Sequence, residues 1–226
     1  MADRMRRYLS GVGAMLGLYL LEQLAIAPTY LPTLLKLSSW PAQLGIWIIT
    51  TVLCGLVFWL LWRLYQHGLA HRQPSYFRPR PTRPRQWLIF ALMLVVLSAL
   101  IISQELIHTS SSENQKAVEQ LFNGTPWLTS YLAVFIGPVL EEMIFRGLFF
   151  NYFFMKLTTP WVKVLGVVIN GLLFAQIHTS LWSPGAWVYF ATGMILATTY
   201  LETKDIRYDI SLHVLSNAFS TLSMLF

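Results

Sequence analysis

The stretch Pro138-Val-Leu-Glu141-Glu142-Met-Ile-Phe-Arg146-Gly147 decides how this chain must be read. It sets two adjacent carboxylates and an arginine in the middle of an apolar run from Trp127 to Met155. That run is long enough to cross a bilayer, where an ionisable side chain is costly unless it is paired or lines a wet cavity. On a helix, Glu142 and Arg146 lie one turn apart and can pair. Glu141 is turned about 100° away from Glu142 by the helical period. The arginine can therefore neutralise Glu142 and leave Glu141 to act as a base. Pro138 removes a backbone donor, so the carbonyl of Val134 is expected to lose its helical partner. A helix opened there, beside Glu141, gives water a place to enter.

Composition places this run in a membrane protein. Of 226 residues, 55% are hydrophobic and 12% charged, with a mean hydropathy of +0.54. Those values lie outside the range of a soluble globular domain. The single cysteine, Cys54, excludes internal disulfides and cysteine-based metal clusters. The net charge of +6 does not indicate a nucleic-acid partner, because the cations lie in loops between apolar segments, where they act as topology signals. Arg4, Arg6 and Arg7 precede an apolar stretch that reads as a signal-anchor rather than a cleaved signal.

The expected fold is all-α: one multi-spanning transmembrane helical domain over 1–226. Seven spans are expected, at 9–27, 41–65, 87–107, 127–155, 162–180, 186–202 and 209–226. With the N-terminus in the cytoplasm, inside segments receive Arg4, Arg6, Arg7, Arg63, Arg72, Arg78, Arg80, Arg83, Arg85, Lys156, Lys163, Lys204 and Arg207. Outside segments receive Lys36 and Lys116. This bias supports the orientation. Trp40, Trp87, Trp127 and Trp161 fall at span ends, as an interfacial aromatic belt requires. A cytoplasmic basic loop is expected over 66–86. Its Pro- and Arg-rich part, 71–85, should be extended and lie against anionic lipid headgroups.

Further polar residues fall inside the apolar spans. His178 follows Phe174 by four residues, and Asn217 follows His213 by four, so each pair shares a helix face. Taken alone, either histidine could be an interfacial residue, and Asn217 a helix–helix hydrogen-bonding residue. Glu22 is expected to pair with a neighbouring helix rather than join this set, and Glu105 and His108 read as interfacial. The depths conflict: in a plain seven-span arrangement His178 and His213 lie near opposite ends of their spans. At ~1.5 Å per residue they would differ in depth by well over 10 Å. A re-entrant segment near 179–190, with Pro184, would relieve that conflict.

Glu141-Glu142-x-x-x-Arg146, Phe174-x-x-x-His178 and His213-x-x-x-Asn217, in this order over 127–226, resemble the CAAX protease and bacteriocin-processing (CPBP, or Abi) family of intramembrane endopeptidases. The resemblance implies hydrolysis of a peptide bond in a small membrane-associated peptide or protein precursor. It implies that Glu141 is the general base, that His178 holds the water and moves the proton, and that His213 and Asn217 donate to the oxyanion. Glu142 and Arg146 would brace the site. No cofactor is expected; the alternative is zinc held by Glu141, His178 and His213, residue types that suit that metal. Two other functions fit the same residues: a non-enzymatic bacteriocin-immunity or scaffold protein of the same fold, and a proton relay or transporter. The expected location is a prokaryotic plasma membrane.

Overall fold

The computed structural model describes the chain except residues 1, 38, 73, 108–112, 158 and 223–226, and except the side chains of 2–8, 105–107 and 113. His108 and the end of the last expected span therefore lie outside the described residues, as do the side chains of Arg4, Arg6, Arg7, Glu105 and Glu113.

The described fold is all-α. Eight helices follow in order: α1 Ala2–Ile26, α2 Trp40–Arg72, α3 Arg83–Ile107, α4 Glu113–Gly124, α5 over 126–153, α6 Pro160–His178, α7 Ala186–Thr203 and α8 Ile206–Leu222. Among the described residues, four helical stretches are long and apolar enough to cross a membrane: Leu9–Leu34, Trp40–Arg72, Arg83–Gln104 and Pro160–His178. The other three expected spans are α5, which is broken into α and π segments, and the shorter α7 and α8. Large apolar side chains such as Leu20, Trp59 and Val95 stand exposed, which suits a hydrocarbon surrounding.

The chain groups into two compact units, Met1–Arg72 with Val118–Phe153, and Gln73–Ala117 with Phe154–Phe226. In the first unit, Ile46, Leu128 and Leu132 form a buried cluster, and Trp47 stacks on Tyr131 with ring centroids 6.0 Å apart. At the other end of this unit, Arg72 donates to the Asn151 carbonyl (3.1 Å) and lies 4.1 Å over the Tyr152 ring. α2 runs unbroken to Arg72 because no proline lies between Pro41, in its first turn, and Pro74. The loop expected over 66–86 is therefore shorter, with a 3-10 turn Ser75–Phe77 and α3 starting at Arg83.

In the second unit, Leu97, Phe174, Leu196 and Leu212 bring α3, α6, α7 and α8 onto one core. α6 begins in the manner expected of a capped helix. Thr159 accepts from the Val162 amide at 3.3 Å, and Pro160 occupies the first turn. α7 ends at Lys204 in the left-handed conformation (φ 56°), whose amide closes onto the Tyr200 carbonyl at 2.8 Å. Asp205 then caps α8, accepting from the Arg207 amide at 3.2 Å. Burial pushes the Asp205 carboxyl up, but hydrogen bonds from Arg207 and its charge outweigh that and hold it below the usual range. Over the segment expected to re-enter near 179–190 the chain makes a turn over 179–185, closed by Ser183 N–H to Ser180 O (2.9 Å), followed by the first turn of α7.

α6 and α7 cross at two glycines. A Cβ on Gly193 would lie 2.9 Å from the Gly171 Cα and 2.9 Å from the Phe174 Cβ. Backbone cannot swing aside as a flexible side-chain end does, so the crossing requires glycine. Gly193→Ala is expected to cost about 1–3 kcal/mol by overpacking. A lowered thermal unfolding midpoint in detergent would show this, and an unchanged midpoint would contradict it.

Candidate active site

α5 positions the carboxylates of the first unit. Its segments alternate: α over Pro126–Tyr131, π over Leu132–Ile136, α over Gly137–Glu142, π over Met143–Leu148, and α over Phe149–Phe153. The Gly137 amide bonds the Leu132 carbonyl, five residues back, immediately before Pro138. The opening expected at the proline is thus present as a π segment, the kind of helix defect that often marks functional sites.

Glu142 and Arg146 form the expected ion pair, Oε1 to Nη1 3.0 Å, with both side chains 0% exposed. Met143, Ile144, Phe145 and Leu148 around them are also buried. Glu141, a third of a turn away, keeps partial exposure as a residue, with its Oε2 buried. Its Oε1 leans back over Gly137, 3.6 Å from where a Cβ would stand. A substituent at Gly137 would meet that oxygen and the Leu132 carbonyl, at 3.2 Å.

Glu22 differs from its expected role. It is 1% exposed, its Oε2 has no hydrogen-bond partner among the described residues, and it lies within electrostatic reach of Glu141. Among the described residues no cation pairs with it.

In the second unit, the two histidines flank one ring. Phe174 is buried, with its centroid 4.3 Å from the His178 ring and 5.6 Å from the His213 ring. The depth conflict read from the sequence therefore does not arise. α8 starts at Ile206, three residues before the expected 209. His178 donates from Nδ1 to the Phe174 carbonyl at 2.8 Å and stacks on Tyr189, 4.9 Å away. A carbonyl only accepts, so neutral His178 carries its proton on Nδ1 and presents Nε2 as an acceptor. His213 is 3% exposed, while Asn217, one turn further on α8, keeps partial exposure.

The sequence reading passed over Asp209. It is fully buried one turn before His213, extending the His213–Asn217 stripe to three polar residues on one face. The i−4 spacing was the signal that could have found it. Asn170 of α6 is likewise fully buried.

Residues 123–219 match the family described as Type II CAAX prenyl endopeptidase Rce1-like. This segment contains every one of the motif residues. The chain is similar to the membrane-embedded CAAX protease MroQ of Staphylococcus aureus (strain USA300), 25% identical over 169 residues, covering 70% of this chain and 67% of that protein. It is similar to the putative membrane peptidase YdiL of Bacillus subtilis (strain 168), 30% identical over 114 residues, or 50% of this chain and 44% of that one. It also resembles the UPF0177 protein YbdI of Lactococcus lactis subsp. lactis (strain IL1403), 33% identical over 88 residues, or 38% of this chain and 44% of that one. The chain thus spans two thirds of MroQ and under half of the other two. No solved structure gives a match.

The buried pair in the Rce1-like segment gives a direct test. Removing one partner leaves an uncompensated charge, which costs about 3–5 kcal/mol in a buried pair. Arg146→Met should lower the unfolding midpoint sharply, and the double change Glu142→Gln with Arg146→Met should recover part of the loss. A single variant as stable as the parent would contradict a structural role for the pair.

Proposed function

We propose that this protein is an intramembrane endopeptidase that hydrolyses a peptide bond in a small membrane-associated peptide or protein precursor. The observation that carries the reading is Glu141. It is a partly exposed residue of the Rce1-like segment, its Oε2 buried, beside an ion pair that is wholly closed off.

In this reading Glu141 takes a proton from water as the water attacks the scissile carbonyl. A base does this best with a pKa near the working pH. His178, with Nε2 as acceptor, holds the attacking water and passes the proton toward the leaving amine. His213 and Asn217, one turn apart on α8, donate to the oxyanion of the tetrahedral intermediate. Loss of one such donor costs about 3–4 kcal/mol of transition-state stabilisation. Glu142 and Arg146 hold the helix that carries the base.

The mechanism we favour needs no metal. Zinc on Glu141, His178 and His213 is the competing form, and those residue types suit that metal. Metal analysis of purified, active protein separates the two: stoichiometric zinc whose removal abolishes and whose return restores cleavage would overturn the metal-free form.

We place the protein in a bacterial plasma membrane with its N-terminus in the cytoplasm, as the distribution of cations favours. Arg78, Arg80, Arg83 and Arg85 are exposed, which suits contact with anionic headgroups.

The functional test compares membrane-associated peptides, by mass spectrometry, in cells carrying the parent protein or Glu141→Gln. A precursor should accumulate uncut in the variant, with activity reduced at least a thousandfold, about 4 kcal/mol or more of lost transition-state stabilisation. An identical peptide profile, with both proteins folded and equally abundant, would contradict the proposal.

A further inference from the structure

Tyr189 lies outside the three motifs, on α7, a helix that carries none of their residues. Its ring stacks on the His178 imidazole, with centroids 4.9 Å apart and planes inclined by 22°. Phe174, from the same helix as His178, approaches that imidazole to 4.3 Å at 35°. The third contact is the hydrogen bond that Nδ1 donates to the Phe174 carbonyl, at 2.8 Å.

That bond fixes one corner of the imidazole and leaves its plane open. The line of an N–H bond runs through the ring, so turning about it keeps the bond while tilting the plane and moving Nε2. A ring stacked on the imidazole resists this, because either sense of rotation drives one half of the imidazole into the neighbouring face. Phe174 and His178 belong to one helix, whereas Tyr189 ties the ring plane to a second.

Tyr189 is itself well anchored. It packs against the core of Leu97, Phe174, Leu196 and Leu212. The turn that leads from His178 into α7 is closed by its own bonds. Thr179 Oγ1 lies 3.0 Å from Ser183 Oγ, and the amides of Ala186 and Val188 each reach a carbonyl three residues back at 3.1 Å. Phe174 is wholly buried, but His178 and Tyr189 both keep partial exposure. The stack therefore stands at the edge of the core, where an imidazole can still meet water.

We infer that Tyr189 is a positioning residue, whose ring holds the plane of His178 so that Nε2 points at the attacking water. This rests on the reading of His178 as the residue that holds that water. Orientation matters to rate because a misplacement of about 1 Å can cost about 100-fold.

The test uses purified full-length protein in lipid nanodiscs, with labelled histidine for NMR and, as substrate, the peptide identified by the Glu141→Gln comparison. Tyr189→Phe keeps a flat ring, and Tyr189→Leu removes it. The ring protons of His178, assigned by their loss in His178→Gln, should keep their ring-current shift in Tyr189→Phe and move in Tyr189→Leu. Tyr189→Leu should lower kcat about 10–100-fold with KM nearly unchanged, while Tyr189→Phe keeps the parental kcat. Should Tyr189→Leu fold poorly, Tyr189→Met, which refills the space without a flat face, should show the same loss. Unmoved His178 resonances in Tyr189→Leu would overturn the stack itself, whatever the protein does. Moved resonances with a parental kcat, a loss confined to KM, or equal losses in Phe and Leu would overturn the positioning role. A ring-dependent shift in a protein that cleaves no peptide would leave the stack standing and remove the reading of His178 on which its role depends.

Discussion

A closed ion pair between Glu142 and Arg146 is the constraint on which the first unit depends. Neither group can face hydrocarbon singly, and together they require a shell that excludes both lipid and water. That requirement explains why the middle of α5 is buried on all sides, with Met143 through Phe150 enclosed. It also explains why α1 and α2 close around α5. A helix surrounded in this way can carry a third ionisable residue, Glu141, at one edge of its packed faces. The π segments shift the phase of the side chains, so the turn between them that carries Glu141 and Glu142 need not follow the register of the rest of the helix.

The second unit answers a different constraint, that of close backbone approach. Gly171 and Gly193 let α6 and α7 touch, and Phe174 lies one turn beyond that crossing. Its ring then serves as the wall between two imidazoles. His178 is further fixed by a hydrogen bond to the backbone of its own helix and by stacking on Tyr189. That hydrogen bond settles the tautomer of His178, and the stacking on Tyr189 holds the orientation of its ring.

How much could be read in the sequence followed from how local each interaction is. The Glu142–Arg146 pair, the two motif faces and the helical class all depend on spacing within one helix, and each appears where spacing puts it. The opening before Pro138 was legible for the same reason, since it follows from a missing amide. Glu22 was misread because Glu141, within its electrostatic reach, lies over a hundred residues away, and the spacing within α1 says nothing of which helix faces it. Asp209 was passed over because the last helix was started three residues late, which put an acidic side chain at a span boundary, where it needs no explanation. The loop over 66–86 was drawn too long because the expected span ends at Tyr65, although no proline in Gln66–Arg72 stops a helix once it leaves the membrane.

The central claim is that Glu141 is the base of a peptide-bond hydrolysis. Chemical rescue tests it most directly, with purified protein in lipid nanodiscs given its precursor peptide. Glu141→Ala should be inactive and regain part of the cleavage when formate, a small carboxylate, is added. Cleavage by folded Glu141→Ala at the parental rate would contradict the account.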